Sequence, residues 1–217
     1  MRMWQTTLVN RNAPSAPQQT DRSLAFAIPA GVQAKTSFQR AVLSLSIALA
    51  MLFASQVRAL DLDTPFTSID GGDLRISDWA GQPVLVVNTA SMCAFTDQYR
   101  SLQTLYDTYR DDGLIVLAVP SDDFNQELDD NAAVKDFCEM VYGIDMPMTV
   151  ITVVRGRDAH PFYQSLRDAA GFVPEWNFSK VLLDRDGTLA ATFPAGMDPL
   201  SERVTSNIAA MFAAQEN

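Results

Sequence analysis

The chain is poor in the residues that build metal and redox centres. It has one histidine and two cysteines, Cys93 and Cys138, among its 217 residues. The wide spacing of the two cysteines and the lack of a CxxC sequence exclude the usual zinc patterns and the thioredoxin-type redox motif. We therefore expect no bound metal and no prosthetic cofactor.

Basic residues are scarce outside the N-terminal region. Residues 60–217 hold ten Lys and Arg against 25 Asp and Glu, a formal charge of −15. Such an acidic surface repels the phosphates of nucleic acids and the headgroups of anionic membranes, so neither is an expected partner. A small uncharged substrate would approach this surface without hindrance.

The N-terminal region differs from the rest of the chain. Residues 1–40 are rich in Ser, Gln, Pro and Thr, and the apolar run AVLSLSIALAMLFAS follows at residues 41–55. This run is short for a membrane span, and a small-x-small site ends at Ala59. We predict that residues 1–59 form a polar leader plus signal peptide and that the product is exported, most simply to the periplasm, without stable membrane contact once cleaved. An uncleaved membrane anchor is the alternative.

Residues 60–217 are predicted to form one α/β domain. Two continuous apolar runs, residues 83–88 and 114–119, flank a helical pattern, which is typical of a right-handed βαβ unit with a parallel sheet. Further patterns predict strands over 149–154, 181–183 and 188–193 and helices over 134–142, 161–170 and 200–214. Together they indicate a thioredoxin-like fold, with a central mixed sheet flanked by helices.

Cys93 follows the first buried strand and precedes a helical stretch. Free amides and the positive end of a helix dipole favour the thiolate form of a cysteine in such a place. A thiolate can attack the O–O bond of a peroxide and become a sulfenic acid. A structural disulfide between the two cysteines is the competing interpretation for an exported protein.

The segment around Cys93 resembles a known family. The string VVNTASMCAFTDQY, residues 86–99, is similar to the nucleophile segment of glutathione peroxidases, usually read as VNVASKCGFTPQY. Residues 113–120 (GLIVLAVP), 158–163 (DAHPFY) and 176–187 (WNFSKVLLDRDG) resemble three further segments of that family, in the same order. The resemblance covers nearly all of residues 64–200. It implies a thiol-dependent reduction of hydrogen peroxide or organic hydroperoxides, in response to oxidative stress.

The resemblance also implies roles for particular residues. Cys93 would be the peroxidatic cysteine, and the side chains of Trp176 and Asn177 would donate hydrogen bonds to its thiolate. Cys138 lies in a segment similar to the helix that carries the resolving cysteine in some members, which would make this a two-cysteine peroxidase. The plainer interpretations are a core Trp, a turn-forming Asn and a buried free Cys.

One position departs from the family pattern in a way that bears on the chemistry. The family string Pro-Cys-Asn-Gln-Phe corresponds to PSDDF here, so Asp123 stands where a Gln of the site is expected. An ionised carboxylate beside a thiolate would oppose activation unless it is turned away, paired or protonated. Gln126 and Asn125 are the candidates to replace the missing amide. Met92 replaces a family Lys, which removes a positive charge next to Cys93.

The resemblance leaves the reductant open between glutathione and a thioredoxin-like protein. The short stretch between Val154 and Trp176 resembles members that lack the oligomerisation loop, so we expect a monomer. His160 is expected to cap the helix that begins at Pro161 rather than to act as a base. Two other functions compete: a thiol-disulfide exchange protein of the same fold, and a catalytically degenerate binding member of the family.

Overall fold

The structure is a computed structural model that describes residues 59–213. The predicted leader and its apolar run lie outside these residues. Within them no helix combines the length and the apolarity needed to cross a bilayer. The elements are β1 (Phe66–Thr67), β2 (Asp73–Leu74), a 3-10 helix (Ile76–Trp79), β3 (Val84–Thr89), α1 (Gln98–Tyr109), β4 (Ile115–Pro120), α2 (Asn131–Phe137), a π-helix (Cys138–Tyr142), α3 (Pro161–Ala170), β5 (Lys180–Leu183), β6 (Leu189–Phe193) and α4 (Glu202–Ala213).

The central sheet has four strands in the order β4-β3-β5-β6. β3 and β4 are parallel, as the βαβ pattern predicted, while β5 pairs antiparallel with both β3 and β6. β1 and β2 form a separate antiparallel hairpin. The predicted thioredoxin-like class, a mixed sheet with helices on its two faces, is confirmed.

The two faces of the sheet bury two separate apolar clusters. Alternate residues of a strand point to opposite faces, so Leu85 and Val87 belong to one cluster and Val84 and Val86 to the other. The first cluster packs against α1, α2 and α4 and contains both cysteines. The second packs against α3. Both faces of β3 are therefore covered, which explains its continuous apolar sequence.

The predicted strand over residues 149–154 is wrong. Only isolated bridges form there, from Thr149 to Ser68 and from Met148 to Ala118. The hydroxyl groups of Thr149 and Thr152 both donate to the carbonyl of Val150, at 2.8 and 2.7 Å. These local side-chain bonds compete with a regular ladder, as Thr side chains commonly do.

The predicted helix over residues 134–142 is two elements. α2 begins after Asp130, whose carboxylate accepts a hydrogen bond from the amide of Ala133 at 2.9 Å. At Cys138 the helix changes to π geometry, and it ends at Gly143, which has a φ of +65°. Glycine adopts this left-handed conformation without strain. The change of geometry therefore begins at the second cysteine.

Candidate active site

Cys93 lies in a tight turn between β3 and α1 and is 8% exposed. Its backbone amide donates to the hydroxyl of Thr96 at 3.0 Å, and that hydroxyl lies 2.7 Å from the carbonyl of Cys93. The backbone amide of Phe95 donates to the sulfur of Cys93 at 3.4 Å. The turn therefore holds the sulfur of Cys93 against a backbone amide.

The helix itself begins at Gln98, five residues after Cys93, and not directly at the cysteine. α1 starts at Gln98, so the turn amide of Phe95, and not the first turn of the helix, contacts the sulfur of Cys93. The side chain of Thr96 explains the delay, because it binds the carbonyls of both Ala90 and Cys93 and holds the chain in a turn.

Asn177 and Gln126 meet beside this turn. Asn177 is fully buried, and its side-chain amide donates to the side-chain carbonyl of Gln126 at 3.1 Å. The backbone carbonyl of Gln126 accepts a hydrogen bond from the amide of Met92, next to Cys93, at 2.9 Å. Asn177, which the sequence singled out, and Gln126, which it offered only as a substitute, thus flank the Cys93 turn.

Asp123 points elsewhere. One of its carboxylate oxygens accepts hydrogen bonds from the backbone amides of Val154 and Arg155, at 2.7 and 2.9 Å. Asn125 has a φ of +54°, a left-handed conformation that Asn tolerates, and Gln126 follows directly. Of the alternatives that the sequence left open for Asp123, the contacts show a carboxylate that is paired with the backbone at Val154 and Arg155, and the amide beside Asn177 belongs to Gln126.

Trp176 is 41% exposed, and its ring packs against Phe124 with centroids 5.1 Å apart. The guanidinium group of Arg155 lies 4.8 Å from the centroid of the same Phe124 ring. Within residues 59–213 the indole N–H has no hydrogen-bond partner. The predicted donation from this N–H to the sulfur of Cys93 stays a prediction.

Cys138 has a different environment. It is 1% exposed, and both cysteines are free thiols. Burial raises the pKa of Cys138 to about 11; the hydroxyl of Tyr99 partly opposes this, while the charges of Glu127 and Glu139 add to it. A thiol with this pKa is almost wholly protonated at neutral pH, so Cys138 is unreactive where it lies.

Glu127 is a residue of the site that sequence reasoning missed. One oxygen of its carboxylate accepts from the amides of Ser91 and Leu128, both at 2.9 Å, and the other is buried without a hydrogen bond in the described part of the chain. Burial raises the pKa of this carboxyl group. Its position directly after Gln126 was the only signal in the sequence. Glu127 connects the loop of Gln126 to the turn that carries Cys93.

Unused hydrogen-bonding groups are concentrated around the turn. Six of the nine buried side-chain atoms that lack a hydrogen bond within residues 59–213 belong to the segments that carry or contact the turn. They are Asn88 Oδ1, Thr89 Oγ1, Ser91 Oγ, Tyr99 OH, Glu127 Oε2 and Asn177 Oδ1. Buried polar groups are usually paired, and four of these six atoms face one another: the hydroxyl of Tyr99 lies near Thr89, and that of Ser91 lies near Glu127.

Comparison with known proteins identifies the family. A glutathione peroxidase of Lactococcus lactis subsp. cremoris is 39% identical over 142 residues, which cover 63% of this chain and 90% of that protein. The family model for glutathione peroxidase matches residues 62–167. The chain belongs to the glutathione peroxidase family. A hydroperoxy fatty acid reductase of Synechocystis sp. is 36% identical over 137 residues, covering 58% of this chain and 81% of that protein.

Solved structures agree with this membership. The crystal structure of Trgpx in its apo form matches with a TM-score of 0.56 and 27% identity, over 71% of this chain and 97% of that chain. A thiol:disulfide interchange protein DsbE from Chlorobium tepidum matches with a TM-score of 0.52 and 17% identity, over 71% and 96%. At that identity the second likeness shows the thioredoxin-like fold alone.

Membership in the glutathione peroxidase family supports thiol peroxidase activity at the level of the family. Enzymes of this family use a thiol co-substrate and no prosthetic group. Among residues 59–213 no group of three or more His, Cys, Asp and Glu side chains is arranged to hold a metal ion.

His160 has the supporting role that the sequence predicted. Its Nδ1 accepts from the amide of Phe162 at 3.3 Å, which caps the start of α3. Its Nε2 lies 3.1 Å from the carbonyl of Pro65, and its ring stacks on Phe66 with centroids 3.7 Å apart. The predicted cap is confirmed.

Proposed function

We propose that this protein is a thiol-dependent peroxidase in which Cys93 reduces hydrogen peroxide or an organic hydroperoxide. The observation that carries the proposal is the turn that buries the sulfur of Cys93 against the amide of Phe95, with the paired amides of Asn177 and Gln126 beside it. The 36% identity to a hydroperoxy fatty acid reductase supports an organic hydroperoxide as one substrate.

In the first step, the thiolate of Cys93 attacks one oxygen of the O–O bond. The bond breaks, Cys93 becomes a sulfenic acid, and the other oxygen leaves as an alkoxide or hydroxide that takes up a proton. Asn177 and Gln126 are neutral donors, so their role is to orient the peroxide and to stabilise the negative charge of the attacking sulfur.

In the second step, Cys138 resolves the sulfenic acid. The thiol of Cys138 loses its proton and attacks the sulfur of Cys93; a disulfide forms and water leaves. Because Cys138 is buried and its pKa is about 11, the segment that carries it must first unwind. The π-helix at Cys138–Tyr142 is the place for this opening, since π geometry is rare and is found frequently at functional sites. Two electrons from a thioredoxin-like protein or a small thiol such as glutathione then reopen the disulfide.

The test follows peroxide consumption by the purified protein with hydrogen peroxide, an organic hydroperoxide and several thiol reductants. We expect thiol-dependent turnover that Cys93→Ser abolishes. One equivalent of peroxide should yield a disulfide between Cys93 and Cys138, detected by mass spectrometry, whereas Cys138→Ser should accumulate sulfenic acid. Absence of turnover with every reductant would favour a degenerate binding member of the family. Disulfide exchange with reduced substrates but no peroxide consumption would favour an exchange protein.

We also propose that the protein is exported, with cleavage after Ala59, and acts as a monomer. Sequencing the N-terminus of the protein isolated from its native cells tests the cleavage, because an intact residue 1 would contradict it. Size-exclusion chromatography with light scattering tests the oligomeric state. A dimer mass would overturn the monomer.

A further inference from the structure

Lys180 is a buried lysine that has no carboxylate partner among the residues that the structure describes. It is the first residue of β5 and is fully buried. Its Nζ donates to the side-chain carbonyl of Gln98 at 2.6 Å and to the backbone carbonyls of Phe178 at 2.7 Å and Ala195 at 3.3 Å. These three acceptors match the three protons of an ammonium group.

Placing a lysine here is costly. Burial lowers the pKa of Lys180 to about 7, and the charge of Asp198 opposes this in part. An apolar side chain of similar length would fill the same space without removing a charge from water. A buried lysine that binds its own segment and two others therefore indicates a role that an apolar residue does not fulfil.

Phe178, one of these partners, has a strained backbone. Its φ is +68°, a left-handed conformation that costs a bulky residue about 1–3 kcal/mol. Its amide donates to the carbonyl of Asn88 at 2.6 Å, and its carbonyl accepts from Lys180. Asn177 directly precedes Phe178, so the backbone conformation of Phe178 contributes to where the side chain of Asn177 lies.

Gln98, the second partner, is the first residue of α1. Its side-chain carbonyl accepts from Lys180, and its side-chain amide donates to the carbonyl of Ala195 at 2.8 Å. Its backbone amide donates to the carbonyl of Phe95 at 2.9 Å, within the turn that follows Cys93. Lys180 therefore contacts the segment that leaves Cys93 and the segment that carries Asn177 at the same time.

We propose that Lys180 is a positioning residue of the peroxidase site, which joins the Cys93 turn to the strained loop at Phe178 and thereby holds Asn177 against Gln126. The inference rests on the proposed function of Cys93. The proposal requires that one donor group bind the three acceptors around Nζ. Only then do the Cys93 turn and the loop at Phe178 keep their distance, and an apolar side chain could not do this.

The experiment compares Lys180→Met with Lys135→Met. Both variants remove one lysine charge, but Lys135 is partly exposed on α2, away from β5. With folding checked by circular dichroism, the rate of Cys93 oxidation by hydrogen peroxide is measured in a single turnover. We expect Lys180→Met to lose about 10- to 100-fold and Lys135→Met to stay within about twofold of the unchanged protein. Lys180→Gln, which keeps two donors, should recover part of the loss.

Two further measurements separate positioning from a general loss of stability. If Lys180 acts through Asn177, the double variant Lys180→Met with Asn177→Ala should oxidise no more slowly than the slower single variant. The inference would be overturned if the rate losses of the two single variants multiplied in the double variant. It would also be overturned if Cys93 of a folded Lys180→Met protein were oxidised at the normal rate. If Lys180→Met does not fold, Lys180→Gln takes its place in the comparison of the single variants with the double variant that also carries Asn177→Ala.

Alkylation of Cys93 with iodoacetamide compares the unchanged protein with Lys180→Met in the absence of peroxide. If peroxide does not oxidise Cys93 in the unchanged protein, the proposed function fails, while a slower alkylation in Lys180→Met still supports the positioning role. If oxidation is fast in both proteins and alkylation is also equal, the positioning role fails and the proposed function stands.

Discussion

The two cysteines of this chain share one apolar cluster but have opposite surroundings. Cys93 lies in a turn whose backbone and side-chain groups are hydrogen-bonded, and an amide points at its sulfur. Cys138 lies in the π-helix with the hydroxyl of Tyr99 near its sulfur, and burial raises its pKa to about 11. The difference shows that burial in the same apolar cluster does not by itself give two thiols the same surroundings. The sulfur of Cys93 is held against a backbone amide at the end of β3, whereas burial and the charges of two glutamates raise the pKa of Cys138.

Alkylation of the reduced protein at pH 7 gives the largest expected effect. Burial moves the pKa of Cys138 from an ordinary value near 9 to about 11, which lowers its thiolate fraction about 100-fold. We expect iodoacetamide to modify Cys138 at least this much more slowly in the folded protein than in urea. Mass spectrometry of digested samples at increasing times measures both sites. Equal labelling of Cys138 in folded and unfolded protein would remove the contrast between the two thiols.

The second prediction concerns the surroundings of Cys93. It compares how two residues of the same loop, Gln126 and Asp123, affect the rate at which Cys93 is oxidised. Gln126→Ala removes the partner of Asn177 and should slow the oxidation of Cys93 by about 10- to 100-fold. Asp123→Asn is nearly isosteric and alters a carboxylate that binds the amides of Val154 and Arg155. It should change oxidation by less than about twofold and lower the free energy of unfolding by about 1 kcal/mol.

Stopped-flow oxidation and urea unfolding of the two variants measure these effects separately. The assignment of Gln126 would be wrong if Asp123→Asn slowed oxidation as strongly as Gln126→Ala at unchanged stability. Combining Gln126→Ala with Asn177→Ala provides an internal check, because two residues that act as a pair should not lose activity additively.

Much of the fold could be predicted from the sequence because its signals are local. The apolar runs of β3 and β4 and the helical spacing between them are sufficient to define the βαβ unit. The segment at residues 149–154 could not be predicted, because its β-branched sequence favours a strand while Thr149 and Thr152 bind the carbonyl of Val150 instead. Pattern alone does not reveal which of these bonds a threonine makes.

The site was predictable only where a residue's role follows from its place along the chain. Cys93 and Asn177 could be named because the strings around them are distinctive. The direction of the Asp123 carboxylate depends on the amide of Val154, which lies 31 residues away, and no local pattern records that contact. Lys180 and Glu127 were missed for another reason: charged residues are usually exposed, so a sequence gives little warning of a buried lysine or glutamate.

The smallest expected effect concerns the segment that carries Cys138, which must open before this thiol can react. Lys135 on α2 bonds to the carboxylate of Asp70 in the hairpin loop and lies 3.6 Å from Glu139 in the π-helix. These contacts connect the Cys138 segment to the body of the domain, so weakening them should ease its opening. The side chains are partly exposed, and solvent-exposed ion pairs contribute little.

We therefore expect Asp70→Asn to speed disulfide formation only about two- to threefold after one equivalent of peroxide, with no change in the oxidation of Cys93. Added salt should speed the unchanged protein and reduce the difference between the two, because screening weakens the same ion pair. Asp73→Asn, which breaks the exposed ion pair with Arg75 in the same hairpin, is the matched control and should have no effect. Acid quenching at set times followed by mass spectrometry measures the disulfide. Slower disulfide formation in Asp70→Asn would mean that this ion pair orders Cys138 for attack and does not restrain it.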